Sequence, residues 1–108
     1  MHNVSADTYA QDVVDASREL PVLVDVWGPR CGPCLRMMPW VEQLAERKDG
    51  TVKIVKLDSS VNRHLCADMS IMGLPTVVLY RAGAEIARLS GDACTPSGIE
   101  ALLAAHVG

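Results

Sequence analysis

The 108-residue chain has no run of basic residues longer than two, and its 10 Lys and Arg against 13 Asp and Glu leave a formal net charge of -3. With an isoelectric point near 5.5, that balance removes the electrostatic basis for holding a nucleic acid or an anionic membrane. No apolar stretch approaches the ~20 residues that a membrane-spanning helix needs. The opening Met1-His2-Asn3-Val4-Ser5-Ala6-Asp7 has neither the positive n-region nor the apolar h-region of a secretory signal, so the expected compartment is the cytoplasm. Repeats, low-complexity tracts and linkers are also absent. The remaining composition, 49% hydrophobic and 21% charged, predicts a single domain over residues 1–108 with enough core to stand without disulfides or metal.

The elements alternate. A first helix is expected over about residues 6 to 17, entered through Ser5 or Asp7 as N-cap, with Tyr9, Val13 and Ala16 on one face. Val22 to Trp27 is almost continuously apolar, the pattern of a strand buried on both faces, and Asp25 alone interrupts it. From Cys34 to about Lys48, Met37, Met38, Val41, Leu44 and Ala45 recur at helical spacing; Pro39 should kink this helix and Gly50 end it. A strand over Thr51 to Leu57 precedes a short helix at about 61 to 69, with Val61, Leu65 and Met69 in register. Strands over Thr76 to Arg81 and Glu85 to Ser90, joined through Ala82-Gly83-Ala84, must form an antiparallel hairpin. Thr95 as N-cap and Pro96 at the first position open a last helix, with Ile99, Leu102, Leu103 and His106 along one stripe.

Chemistry concentrates at Cys31-Gly32-Pro33-Cys34, between the apolar strand and the second helix. That position sets the first sulfur at a helix N-terminus, where unpaired amides and the helix dipole favour a thiolate. Thiolate is the nucleophile of disulfide exchange. Gly32 and Pro33 keep the turn compact, and Pro33 suits a first helical turn because its missing N–H had no partner there.

Several separated segments then agree with one family. Asp25-Val26-Trp27 followed by Cys31-Gly32-Pro33-Cys34, Pro39 inside the helix, Lys56 on the next strand, Gly73-Leu74-Pro75-Thr76 and Gly91 resemble the thioredoxin family, with no insertion needed from Asp25 onward. The resemblance implies an α/β thioredoxin fold, a central mixed sheet of four to five strands flanked by four helices. It implies a protein-disulfide reductase cycling Cys31 and Cys34 between dithiol and disulfide, with Cys31 as nucleophile and Cys34 as resolving thiol. Asp25, desolvated in an apolar strand, would have a raised pKa and accept the proton of Cys34. Lys56 either pairs with Asp25 through the sheet or is a surface lysine. Pro75 would be cis and face the cysteines, and Trp27, Gly73, Leu74, Pro75 and Gly91 would line the groove where an extended client segment pairs with main chain. No bound cofactor and no metal are implied. The partners would be disulfide-containing proteins and a thioredoxin reductase-like electron donor, and the protein a monomer. An oxidant or isomerase, or a binding module holding a partner in the Trp27/Leu74/Pro75/Gly91 groove, are the alternatives.

Arg30 stands where the family has an aromatic Trp before the first cysteine, and Leu35 where it often has Lys. A guanidinium beside Cys31 favours the thiolate and replaces a flat apolar contact with a cation. Outside the motif, Cys66 reads as a small buried hydrophobe. Cys94, ahead of the last helix, is expected to be exposed and the better candidate for glutathionylation or intermolecular pairing. These two cysteines are too far apart in sequence for the short-spaced pairs of a structural zinc site. His2, His64 and His106 are scattered, so no Cys-His catalytic pair is expected. Trp40, Met37, Met38 and Met69 read as packing residues, and Met72 as a neighbour of Leu74 in the groove.

Overall fold

Val22–Trp27 is a strand with two apolar faces, and the fold is organised to cover both. The computed structural model describes residues 1–107. Its strands are β1 (Asn3–Val4), β2 (Val22–Trp27), β3 (Lys53–Asp58), β4 (Thr76–Arg81) and β5 (Ala84–Ser90); its α-helices are α1 (Gly32–Arg47), α2 (Arg63–Asp68) and α3 (Pro96–His106). One sheet has the order β1-β3-β2-β4-β5. β1 and β2 run parallel to β3, while β2–β4 and β4–β5 are antiparallel. This is the expected mixed sheet, at its five-stranded limit, with β1 reduced to two residues.

Because successive strand side chains point to opposite faces, β2 feeds two cores. Val22, Val24 and Val26 join Val55, Leu57, Val78 and Tyr80 under the N-terminal helical segment and α2. Leu23 joins Ile54, Val77 and Leu79 under Met37, Val41 and Leu44 of α1 and Ile99 and Leu103 of α3. Asp25 shares the second face, where its neighbours in register are Lys56 of β3 and Val77 of β4.

Four sequence expectations change in detail. The first helix is shorter than residues 6 to 17: Ala10–Asp15 has π geometry and Ala16–Arg18 continues as a 3-10 turn. Neither Ser5 nor Asp7 caps it. Ser5 instead closes a turn with Thr8, receiving the Thr8 amide at 3.1 Å and donating its own to Thr8 Oγ1 at 3.0 Å. Tyr9, Val13 and Ser17 are the buried positions, every fourth residue, a stripe that a wider turn keeps aimed at the sheet. Tyr9 meets Tyr80 hydroxyl to hydroxyl at 2.8 Å, and Ser17 Oγ receives the Gly83 amide at 2.9 Å, tying the segment to the hairpin turn. That turn is the two residues Ala82 and Gly83, with φ of 54° and 84°, as a type I′ connection requires.

The helix expected over 61 to 69 is broken. Asp58 caps a 3-10 turn, Ser59–Val61, with its side chain on the Ser60 amide, and α2 starts only at Arg63 after Asn62, whose φ of -138° and ψ of 46° lie outside the helical range. The break rotates Val61 out to 74% exposure, whereas Leu65 and Met69 still pack on the core. The third strand begins at Lys53 rather than Thr51, since Thr51 and Val52 turn back onto the Lys48 carbonyl. α1 begins at Gly32, two residues before Cys34, and runs on through Pro39.

α3 follows its sequence signals: Thr95 Oγ1 accepts the Gly98 amide at 3.1 Å, and Ile99 is fully buried. Truncating Ile99→Ala removes packing on the α1 face and is expected to cost about 3 kcal/mol. Thr95→Ala removes one cap and should cost about 1 kcal/mol. Chemical denaturation of both variants checks the pair; equal costs would mean that α3 is held by its cap rather than by its buried face.

Candidate active site

The chain leaves β2 at Trp27, turns through Gly28-Pro29-Arg30 and enters α1, so the dithiol motif lies at the carboxyl end of the central strand. Cys31 is the N-cap of α1, with extended φ and ψ of -90° and 101°. Its Sγ accepts the Cys34 amide at 3.2 Å, a place where an oxygen ordinarily sits. In the reduced state the same amide, with the positive end of the helix dipole, favours a thiolate at Cys31. Gly32 and Pro33 are the first two helical residues. Cys31 is half-buried and Cys34 is 1% exposed, and the two are joined as a disulfide with Cα atoms 5.2 Å apart. One sulfur is therefore open to a client and the other lies behind it.

Asp25 is 1% exposed on the α1 face of β2, and neither carboxylate oxygen has a hydrogen-bond partner. Desolvation pushes its pKa up to about 7, opposed by the charge of Lys56. Lys56 is thus neither a plain surface residue nor a close ion-pair partner: it is the in-register neighbour of Asp25, while its Nζ lies 3.7 Å from Glu42 Oε1. A carboxyl titrating near neutrality can take and return a proton.

The loop before β4 holds a cis Leu74-Pro75 bond. Thr76 Oγ1 donates to the Gly73 carbonyl at 2.7 Å, and the Gly91 amide donates to the Pro75 carbonyl at 2.9 Å. Gly91 has φ of 61°, a left-handed conformation suited to glycine. An open groove of about 620 Å³ brings Arg30, Cys31 and Leu74 together with Ser59, Ser60 and Arg63. Trp27, Gly73, Pro75 and Gly91 do not line this groove. Met72 does not line it either and is 93% exposed.

Besides Ser59, Ser60 and Arg63 of this lining, sequence reasoning missed or misplaced three residues. Gly28 admits Leu74: a Cβ there would lie 3.1 Å from Leu74 Cδ1 and 3.3 Å from Ser59 Oγ. Val61, beside Ser59 and Ser60, offers apolar surface because of the broken helix. Cys94 is the third, and its expected exposure is wrong. It is 4% exposed in the α1-face core with Val77, the cross-strand neighbour of Asp25. Burial, followed by the charge of Asp25, pushes its thiol up to about 12. The 3-10 turn Gly91–Ala93 folds this loop inward, a turn with no signature in the sequence. Cys66 is buried as expected, on the opposite face, and burial raises its pKa too.

A family model described as Thioredoxin matches residues 1–105. The chain is 37% identical over 105 residues to a thioredoxin of Peptoclostridium acidaminophilum, covering 97% of this chain and 94% of that one. It is 36% identical over 88 residues to a thioredoxin of Synechocystis, covering 82% and 80%. Fasciola hepatica thioredoxin superimposes with a TM-score of 0.88 at 25% identity, over 98% of this chain and 99% of its own. Malassezia sympodialis thioredoxin shares the fold with a TM-score of 0.86 at 24% identity, over 100% and 91%. Among the described residues, no helix is long and apolar enough to cross a membrane.

Asp25 should make the protein less stable as pH rises. Below the ordinary value of 3.8 the carboxyl is protonated whether the chain is folded or not; above it the unfolded chain ionises first, and folded stability falls until about pH 7. The loss then stays constant at about 4 kcal/mol, since each pKa unit is ~1.4 kcal/mol. Denaturation of Asp25→Asn alongside the parent chain should therefore show a difference that grows between pH 4 and 7 and is flat above pH 8. A constant difference would mean that Asp25 ionises as a surface carboxylate does. For the free thiols, iodoacetamide at pH 8 should label neither Cys66 nor Cys94 in the folded, oxidised protein and both after denaturation. Labelling of folded Cys94 would contradict its burial.

Proposed function

Since this chain belongs to the thioredoxin family and is a protein-disulfide reductase, we propose that the reaction runs through Cys31 as nucleophile and Cys34 as resolving thiol, with Asp25 as proton acceptor. The observation that carries this reading is the capping geometry, a half-exposed Cys31 sulfur receiving the Cys34 amide at 3.2 Å with buried Cys34 behind it.

In the reduced protein the Cys31 thiolate attacks one sulfur of a client disulfide. A mixed disulfide forms and the other client sulfur leaves as thiolate. Cys34 then loses its proton to Asp25 and attacks Cys31 Sγ; the Cys31–Cys34 bond forms, and the second client sulfur departs. Two electrons pass to the client, and Asp25 returns its proton to solvent or to the leaving thiolate. Arg30 reinforces the Cys31 thiolate by its charge, and Lys56 keeps Asp25 from drifting to a higher pKa.

Disulfide-containing targets and a reductase as donor follow from the family. We assign the donor to the flavoenzyme class. The electron balance closes between donor, cysteine pair and client, so the reading needs no bound cofactor. Client main chain pairs beside Leu74 and Pro75, with Trp27, Gly73 and Gly91 shaping the surface around them. The protein acts as a monomer in the cytoplasm, where thiols are kept reduced.

Cys34→Ser tests the assignment. It should abolish multiple-turnover reduction of a protein disulfide while accumulating mixed disulfides through Cys31, seen as adducts that dithiothreitol releases. Cys31→Ser should lose both turnover and adducts. Adducts that persist in Cys31→Ser would assign the nucleophile elsewhere, and a Cys34→Ser protein with undiminished function would make the groove a binding module.

A further inference from the structure

We infer that the groove beside Cys31 selects protein clients carrying Asp or Glu next to the disulfide. The inference rests on the reductase reading above and names its substrate class. Although the chain carries a net charge of -3, among the described residues no carboxylate lines the groove, and the charged side chains in its lining are Arg30 and Arg63. A third guanidinium, that of Arg36, folds back over the turn and lies 3.0 Å from where a Cβ on Gly32 would be. Among the described residues none of these three is in an ion pair, whereas Arg18, Arg47 and Arg88 each are.

Arg63 is steadied by one hydrogen bond, Nε to the Ser60 carbonyl at 3.3 Å, which leaves the terminal nitrogens of its fork for a ligand. The nearby acid, Asp58, lies outside the lining; its Oδ1 is occupied by the Ser60 amide and hydroxyl at 2.9 and 2.7 Å. Unpaired guanidinium groups beside a reacting sulfur favour carboxylates, which Arg binds bidentately. Leu74 gives the same groove an apolar wall, and Val61, next in sequence to Ser60, and Met72, two residues before Leu74, are exposed apolar side chains. The occupant therefore combines carboxylates, apolar side chains and reach along the surface, which is the chemistry of an acidic peptide segment.

The test uses three peptides of equal length with one disulfide each, identical except that the residues flanking one cysteine are Glu, Gln or Lys. The rate constant for reduction by the fully reduced protein is divided by that for dithiothreitol, so that the peptides' own reactivity cancels. At low ionic strength the Glu peptide should be favoured over the Lys peptide about tenfold, two exposed charge pairs being worth up to several-fold each. At ~1 M salt, where the screening length falls to about 3 Å, the ratio should approach one. Arg63→Glu should remove or invert the preference, and Arg47→Glu, on the far end of α1, should retain it. Equal rates for all three peptides overturn the inference while leaving the reductase intact. The same ratio in Arg63→Glu as in the parent chain overturns the assignment to this groove. Failure to reduce any of the peptides overturns the reductase reading and the inference with it.

Discussion

The sulfur of Cys31 closes the first turn of α1, and the chemistry of the molecule depends on that one contact. An N-cap must supply an acceptor to orphaned amides. Here the acceptor is the sulfur proposed above as the nucleophile, so in that mechanism the same hydrogen bond serves both the helix and the attacking anion. It can do so only because β2 is covered on both faces. A strand with two apolar faces can be left only at its end, and its carboxyl end delivers the chain between the two helical layers. α1 is then held against the sheet by its own Met37, Val41 and Leu44, while Cys31 stays half-buried.

Covering the α1 face has a second consequence. Asp25 shares that face with Leu23, so a carboxyl is enclosed without hydrogen bonds. Isolated burial of a charge is costly, and the group responds by holding its proton to about pH 7. Lys56 limits the shift from the neighbouring strand, but its ammonium is drawn outward to Glu42 on α1. The result is a carboxyl that titrates near neutrality rather than a quenched ion pair. The instability that Asp25 brings and the proton transfer proposed for it above have one physical origin.

How much of this could be read from the residues depends on the range of the interaction. The Val22–Trp27 run, the Thr95-Pro96 cap, the Ala82-Gly83-Ala84 connection and the cysteine motif are local signals, and each element stands within two residues of where they put it. Asp25 was legible as well, because a lone acid in an apolar strand has few other meanings. The failures were of longer range. Nothing local reveals that Ser17 anchors Gly83, or that Tyr9 must reach Tyr80, and those contacts reshape the first helix. Likewise the Asp58 cap, two residues long in its reach, breaks the third helix and exposes Val61. Cys94 was misplaced because its polar, small-residue loop reads as surface, while a short 3-10 turn folds the thiol under the sheet.

Cys94 also shows how the fold sets one pair of cysteines apart from the other. All four thiols belong to the same chain, and composition does not separate them. Cys31 caps a helix N-terminus, where orphan amides and the dipole favour an anion, and lines an open groove with Arg30. Cys94 sits in the apolar layer that raises Asp25, and both desolvation and the Asp25 charge hold its proton on. Cys66 is silenced by burial on the other face. The burial that raises the pKa of Asp25 thus raises that of its neighbour Cys94 as well, which disfavours the Cys94 thiolate. The selectivity of the chemistry is set by which side of β2 a group faces and by whether it meets a helix end or a packed core.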